Sequence, residues 1–280
     1  YANSGKYHFT RNSALAFASR FYLFKRDFQN CIEYSSQILG SSPEVFVRDL
    51  NALLEERINT EDYIRLYTSP SEPSNLLLMR KVTNFPITVG FWPDDNIFRG
   101  RLFENSPFDA TDLRADPAFV RGDNGITATR FEFLFERSSL TSNVGFNYTV
   151  ITPFKGEEVL LNRAESYAFL GQIDEALADL QTLLDKRYDT PVEADFETIE
   201  NFIGTNDTRV AMILYIVEVE RPKEFIHEGL RWFDIKRYGI PVTHVLQDGS
   251  EITLAEEDNR KILQIPQAAQ DIGGLSANPR

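Results

Sequence analysis

The chain has 280 residues, and its 42 acidic against 29 basic side chains give a net charge of −13. A charge of this sign repels phosphate backbones, and we expect no basic patch to offset it, so nucleic acid is not an expected partner. No apolar run approaches the roughly 18 residues of a membrane-spanning helix. With Cys31 as its single cysteine, the chain cannot form an internal disulfide. Because the chain begins at Tyr1 instead of Met, we expect a processed chain or a fragment, with any signal peptide outside it.

The first predicted elements are the two helices of a hairpin. The first helix covers roughly Asn12 to Lys25. Asp27 can cap a second helix, whose apolar residues mostly recur at steps of three and four on one face before Gly40 ends it. Cys31 lies on that apolar face, so a buried structural thiol is predicted and not a catalytic one.

The next stretch, residues 68–154, loses the helical period and is interrupted by seven prolines. A long irregular segment inside a compact domain is a common location for a binding site. Short runs within it are compatible with strands, namely Leu76–Met79, Ile87–Val89, Arg130–Phe135 and Tyr148–Ile151.

Trp92 is the leading candidate for ligand contact in this stretch. Gly and Pro predict a loop over Gly90–Gly100. A tryptophan on a loop is either a plug that packs back on the scaffold or a platform for a ligand, and both interpretations stay open. A platform would offer apolar area to a sugar ring while polar neighbours hydrogen-bond to its hydroxyls. The candidate ligand-binding residues are Trp92, Asp94, Asp95, Asn96 and Arg99.

Residues 156–187 are predicted to form a second hairpin, 145 positions after the first. In both hairpins, small residues let antiparallel helices approach closely, and a tyrosine fills the flank. The matching positions are Ser19, Tyr22 and Cys31 in the first pair and Ala164, Tyr167 and Ala176 in the second. The spacing resembles that of tetratricopeptide-type helix pairs, and it predicts two hairpins of one scaffold split by a long insertion.

A third helical pair is predicted over about Thr208–Val219 and Lys223–Tyr238. Polar residues, Glu224 among them, are predicted on the outer face of its second helix. The opposite, apolar stripe comprises Ile226, Gly229, Leu230 and Phe233.

The C-terminal part is predicted to contain a β-hairpin. Asp248-Gly249 favours a tight turn between His244–Gln247 and Glu251–Leu254. Lys261–Gln267 is then predicted to be extended, and a Gly-rich tail follows.

The sequence shows no convincing catalytic or metal-binding constellation. Adjacent acids such as Asp94-Asp95 and Glu157-Glu158 diverge on a strand or helix, whereas glycoside hydrolysis needs two carboxyl groups across a cleft. The three histidines lack metal-ligand spacing, and Asp94–Asn96 lacks the spacing of a calcium loop. Nucleophile-elbow and phosphate-loop patterns are missing from the sequence. We therefore expect a binding protein without enzyme activity, cofactor or metal.

Three stretches resemble SusD/RagB-type proteins, the nutrient-capturing surface lipoproteins of Bacteroidetes. Lys6–Phe24 resembles the first of the family's tetratricopeptide-type helix pairs visible in this chain, and Glu158–Ala168 resembles its most recognisable internal helix. Glu220–Tyr238 and Leu263–Gln267 resemble its C-terminal helix and closing strand. The stretches occur in the family's order.

The resemblance implies a mainly α fold, in which tetratricopeptide-like helical hairpins form a scaffold, with a long irregular insertion and short β-hairpins. A single SusD-like domain over residues 1–280 is expected. Its parts are a hairpin scaffold (11–67), an irregular insertion (68–154), a second scaffold part (155–243) and a C-terminal hairpin with its tail (244–280).

The implied function is cell-surface binding of a nutrient, with an oligosaccharide as the expected ligand, in polysaccharide utilisation. The implied partner is a SusC-like TonB-dependent transporter in the outer membrane, to which the nutrient is delivered. The implied membrane attachment is a lipid anchor outside this chain. The alternative is a helical-repeat adaptor that binds a protein and no small molecule, and a buried Trp92 without an aromatic cleft would favour it.

Overall fold

The structure, a computed structural model, describes residues 5–56, 60–82, 102–116, 120–121, 127–128, 132–246 and 248–279. The chain divides into two compact units, residues 1–226 and 227–280. Helices predominate over small antiparallel sheets, which confirms the predicted mainly α fold class. Among the described helices, none is both long and apolar enough to cross a bilayer.

The first unit contains most of the described helices. They are α1 (Arg11–Phe24), α2 (Phe28–Leu39), α3 (Leu50–Glu56), α4 (Thr60–Tyr67), α5 (Gly156–Phe169), α6 (Ile173–Leu184), α7 (Phe196–Ile203), α8 (Thr208–Leu214) and α9 (Arg221–Glu224). Its strands are β1 (Asn75–Val82), β2 (Val120–Arg121), β3 (Thr127–Ala128), β4 (Glu132–Arg137) and β5 (Gly145–Lys155).

The first hairpin forms as predicted. Thr10 caps α1 through a reciprocal pair of hydrogen bonds with Ser13, and the Asp27 carboxylate accepts from the Asn30 N–H at the start of α2. Gly40 has a positive φ and ends α2. Cys31 is fully buried, as predicted.

The two hairpins pack on each other, although an insertion separates them in the sequence. Asn162, in the middle of α5, donates from Nδ2 to Ser19 Oγ at 3.2 Å, and its carbonyl oxygen lies 3.6 Å from Cys31 Sγ. Ala164 and Ala176 are fully buried between α5 and α6. Small residues therefore allow close helix approach in both hairpins, and the prediction of one shared scaffold is confirmed.

The stretch predicted to be irregular contains a three-stranded antiparallel sheet with the order β1-β5-β4. Predicted strands at Leu76–Met79 and Tyr148–Ile151 lie inside β1 and β5, and Arg130–Phe135 overlaps β4. Ile87–Val89 lies outside the described residues. The first half of β1 is buried and its second half is exposed, so the described part of the sheet packs against the helical scaffold at the Asn75 end.

The predicted second member of the third helical pair, Lys223–Tyr238, forms only in part, because its helix is interrupted between Glu224 and Arg231. The chain stays helical from Thr208 to Glu224, with a π-helical turn at Tyr215–Glu220 between α8 and α9. Pro222 explains this turn, because its ring crowds the carbonyl four residues earlier and a wider turn relieves the clash. The helix then ends, since His227 and Gly229 both adopt positive φ.

The second unit is built from short elements. They are α10 (Arg231–Tyr238), the hairpin strands β6 (Val242–Val245) and β7 (Glu251–Leu254), and α11 (Gln267–Gly273). Gly249 has a positive φ in the hairpin turn, which confirms the Asp-Gly prediction. The predicted apolar stripe is wrong, because Phe233 is half-exposed. The predicted closing strand over Leu263–Gln267 is also wrong, because Pro266 caps α11 instead.

Candidate ligand site and its ionic frame

All five predicted ligand residues, Trp92, Asp94, Asp95, Asn96 and Arg99, lie outside the described residues. The structure instead describes the two ends of the stretch that carries them, residues 83–101. Before it, Lys81 and Val82 of β1 pair with Thr149 and Tyr148 of β5. After it, Phe103 is only 3% exposed.

Phe103 belongs to an apolar cluster that fixes the return end of this stretch. Its other buried members are Leu50, Leu53, Tyr63, Tyr67, Leu113 and Ile226. Further along, the Leu113 N–H donates to the Arg187 carbonyl at 2.8 Å, and the Asp189 N–H donates to the Thr111 carbonyl at 3.1 Å. Both ends of the candidate site are therefore held by ordered backbone, which suits a binding segment presented by a rigid scaffold.

Beneath these ends lies a buried cluster of charges, which we name the ionic frame. Every member is 4% exposed or less. It comprises the cations Arg48, Arg114, Lys155, Arg187 and Lys223 and the anions Asp112, Glu157, Glu220 and Glu224.

Arg114 occupies one end of the ionic frame. It binds Asp112 with two hydrogen bonds, Nε to Oδ1 at 2.8 Å and Nη2 to Oδ2 at 2.7 Å. Its remaining nitrogen, Nη1, donates to Glu220 Oε2 at 2.8 Å. Lys223 Nζ lies 3.4 Å from Asp112 Oδ2. The stretch that returns from the candidate site is thereby tied to the 220–224 helix.

Arg187 and Arg48 extend the ionic frame to β1. Arg187 binds Glu224 through two hydrogen bonds of 2.9 and 3.1 Å and donates to the Arg48 carbonyl at 2.7 Å. Arg48 donates to Glu157 at 3.2 Å and to Asn75 Oδ1 at 2.7 Å. Because Asn75 is the first residue of β1, both ends of the candidate site are connected to one set of buried charges.

The electrostatics of the ionic frame keep Asp112 and Glu224 ionised. Burial alone would raise the pKa of Asp112, but the charge and hydrogen bonds of Arg114 outweigh burial and lower that pKa. Burial also opposes ionisation of Glu224, yet Arg187 and Lys155 hold its pKa well below the ordinary value. Burial, with Glu220 nearby, raises the pKa of Tyr215, whose hydroxyl donates to Glu220 at 3.2 Å. Carboxylates with lowered pKa are poor proton donors near neutral pH, so this arrangement suits positioning and not acid catalysis.

Sequence reasoning missed the ionic frame. Glu224 was predicted on an outer polar face and is instead buried, because the charges of Arg187 and Lys155 meet it inside the fold. The one local signal was Asp112-x-Arg114, a spacing that permits a bidentate pair. The adjacent Glu157 and Glu158 do diverge as predicted, since Glu157 binds Arg48 and Glu158 binds Arg20. Among the described residues, no group of three or more His, Cys, Asp or Glu side chains could hold a metal ion.

Comparison with known proteins identifies the scaffold. The sequence model of the SusD family matches residues 157–273. Over this range the chain is similar to proteins of the SusD family. The matched range includes Glu157, Arg187, Glu220 and Glu224 of the ionic frame, whereas the candidate ligand residues lie outside it. The family match therefore describes the scaffold and carries no information about Trp92.

Solved structures share the SusD-like fold at low sequence identity. A SusD superfamily protein of Bacteroides thetaiotaomicron matches 84% of the chain and 51% of its own length, with 20% identity and a TM-score of 0.55. A SusD superfamily protein of Bacteroides vulgatus matches 96% and 59%, with 16% identity and a TM-score of 0.58. A SusD-like carbohydrate binding protein of the same species matches 89% and 52%, with 17% identity and a TM-score of 0.53.

These structures are longer than this chain. It spans 51% to 66% of the length of the first three solved structures that it matches. A search of curated proteins finds no match.

Proposed function

We propose that this SusD-like chain belongs to a cell-surface protein that binds an oligosaccharide and delivers it to a SusC-like TonB-dependent transporter in the outer membrane. The observation that carries the proposal is the match to the SusD family model. A fold shared with a SusD-like carbohydrate binding protein supports it. Attachment to the membrane would use a lipid anchor in the full-length protein.

The described framework supports a role in holding a ligand unaltered. Paired helical hairpins form the scaffold, and the ionic frame ties both ends of residues 83–101 to it. The buried carboxylates are engaged by arginine and lysine, so the described residues provide positioning. We propose that the ligand contacts lie in the intervening stretch, at Trp92, Asp94, Asp95, Asn96 and Arg99.

The two tryptophans of the chain permit a direct test. In a Trp232→Phe variant, Trp92 is the only tryptophan, so its emission reports on its own surroundings. A glycan array first identifies a ligand for the unmodified protein. Titrating that ligand should then change the emission of Trp232→Phe, and Trp92→Ala should weaken binding at least about tenfold, which corresponds to about 1.4 kcal/mol.

Trp92→Phe is the matched control, because it keeps an aromatic ring and leaves Trp232 as the only tryptophan of the sequence, whose emission is excited selectively at about 295 nm. Its emission should not respond to the glycan. If Trp92→Ala binds as tightly as the unmodified protein, Trp92 is a plug and not a platform. Mass spectrometry of the oligosaccharide after incubation should show it unchanged, and shorter products would contradict the proposed non-catalytic role.

Delivery requires a second measurement. The full-length protein should co-purify with a SusC-like transporter when the two are expressed together. Glycan binding without co-purification would retain the binding role and contradict the delivery role. Co-purification without any glycan ligand would favour the helical-repeat adaptor.

A further inference from the structure

A row of neighbouring aromatic rings lies along the first helical hairpin and includes Phe9, just before α1, and the buried Phe154 of β5. We name this row the aromatic ridge. In order along the row, its members are Phe9, Phe154, Phe17, Phe21, Tyr22 and Tyr34. Neighbouring ring centroids lie 5.2 to 6.4 Å apart. Phe17 and Phe21 share a face because they are four residues apart on α1. Phe9 is 66% exposed, Phe17 53% and Phe21 50%.

Neighbouring groups hold the aromatic ridge in place. The Arg20 guanidinium lies 4.4 Å from the centre of the Phe154 ring and forms two hydrogen bonds of 2.5 and 2.6 Å with Glu158. Tyr22 and Tyr34 stack with their rings nearly parallel, 5.2 Å apart. Side chains that are already ordered lose less conformational freedom on binding, so the ridge is preorganised for a partner.

The charge around the aromatic ridge is opposite to that of the whole chain. Residues 1–26 contain five basic side chains and no acidic one. Over residues 1–40 the net charge is +3, while the other 240 residues carry −16. The sequence of this hairpin is therefore basic, although the whole chain is acidic.

The charged groups near the aromatic ridge come from several elements. Arg11, Lys25 and Arg26 are exposed. Arg20 is engaged by Glu158, Lys25 Nζ lies 3.9 Å from the Asp27 carboxylate, and Lys6 donates to the Glu72 carbonyl. Glu33 also lies on α2. Lys25 Nζ lies 5.8 Å from the centre of the Tyr22 ring. Among the charges of α1, α2 and the turn between them, the exposed cations Arg11, Lys25 and Arg26 outnumber the anions Asp27 and Glu33, so the ridge has a cationic border.

From this combination we infer that the aromatic ridge is an interaction surface for an acidic polypeptide segment that also presents apolar side chains. The acidic character follows from charge complementarity with the cationic border. Three of the five neighbouring ring pairs are edge-to-face, at 72°, 84° and 79°. Each edge-to-face contact covers one face of a ring, which leaves fewer free faces on which a sugar could stack. Aromatic and arginine side chains are also enriched in protein interfaces. The inference does not depend on the proposed function.

Site-specific photo-crosslinking tests the inference in the full-length protein, expressed in its native host. Benzoylphenylalanine replaces Phe17 in one variant and Phe21 in another. The matched control carries it at Phe233, which is 49% exposed but is not a ridge member. Thermal unfolding of each variant checks that the fold is kept. Tandem mass spectrometry maps the crosslinked partner residue.

The expected result is that positions 17 and 21 crosslink to a segment of another polypeptide in which Asp and Glu alternate with apolar residues. Combining Lys25→Glu with Arg26→Glu should lower that yield about fivefold or more, because the charge complementarity is reversed. The control Lys236→Glu, at another exposed lysine, should leave the yield unchanged.

Other outcomes would overturn the inference. One is a crosslinking yield at positions 17 and 21 that is no higher than at position 233. Others are crosslinks to a glycan or within the same chain, and a partner segment without acidic residues. The last is a crosslinking yield that the charge reversal leaves unchanged.

Discussion

Replacing Arg114 by Met should strongly destabilise the protein, although it removes only one side chain from the ionic frame. Arg114 is 1% exposed and makes three short hydrogen bonds, two to Asp112 and one to Glu220. Met has a similar volume and leaves no large cavity. The dominant effect is therefore that two buried carboxylates lose their principal cation.

Removal of one partner from a buried ion pair costs about 3–5 kcal/mol, because the remaining charge is uncompensated. Lys223 stays 3.4 Å from Asp112 and 3.8 Å from Glu220, so the lower half of that range is expected. With a urea m-value of about 3 kcal/mol/M, a loss of about 3 kcal/mol moves the unfolding midpoint down by about 1 M. Far-UV circular dichroism during urea titration measures this shift.

The chain offers a matched control with the same local geometry. Asp258 and Arg260 form a bidentate pair at the same spacing as Asp112 and Arg114, with a shortest distance of 2.6 Å. The Arg260 side chain, however, is 50% exposed. Because solvent screens exposed pairs, Arg260→Met should leave the urea midpoint unchanged within error.

A triple variant separates lost pairing from lost packing. Adding Asp112→Asn and Glu220→Gln to Arg114→Met removes the uncompensated charges and should restore part of the lost stability. Equal midpoints for Arg114→Met and Arg260→Met would refute the reasoning. A triple variant less stable than Arg114→Met alone would also refute it.

Three further predictions concern the pH dependence of stability, the close packing at Gly156 and the reactivity of the Cys31 thiol. Asp112 and Glu224 have lowered pKa values in the folded state, so their contribution to stability is present above the unfolded pKa values of about 4 and is lost as pH falls below them. The stability difference between the unmodified protein and Glu224→Gln, measured by urea titration, should thus be largest above about pH 5 and shrink towards pH 3. An increase towards low pH would contradict this sign. Gly156→Ala should cost at least about 2 kcal/mol, because a Cβ there would overlap the Phe46 carbonyl oxygen, whereas Gly171→Ala meets no atom within 4 Å and should cost only about 1 kcal/mol for its positive φ. Comparable losses for the two glycine variants would argue against the close approach. Burial raises the pKa of the Cys31 thiol, so iodoacetamide should label it after urea unfolding and not in the native protein, as mass spectrometry would show.

The ionic frame connects the family match to the candidate site. Glu157, Arg187, Glu220 and Glu224 lie in the range that matches the SusD family, while Asp112 and Arg114 lie on the stretch that returns from residues 83–101. We therefore predict that the stability of the scaffold and the affinity for a ligand depend on the same buried charges. Ligand affinity measured on Arg114→Met would report on this dependence.

Local signals in the amino-acid order were enough to predict the two hairpins, their Asp27 cap and the Asp-Gly turn. Each of these features depends on residues within a few positions of one another, so local interactions determine it without tertiary contacts. The same holds for buried Cys31, which lies on an apolar helical face.

The burial and pairing of the charged side chains depend on contacts between stretches that are distant in the sequence. From the sequence, Glu224 is predicted to be a solvated helix residue, whereas the structure buries it beside Arg187 and Lys155. A row of phenylalanines is predicted to be core, whereas part of it is exposed in the structure. Long-range electrostatic pairing and surface burial depend on distances that arise from packing, and spacing along the chain does not specify those distances.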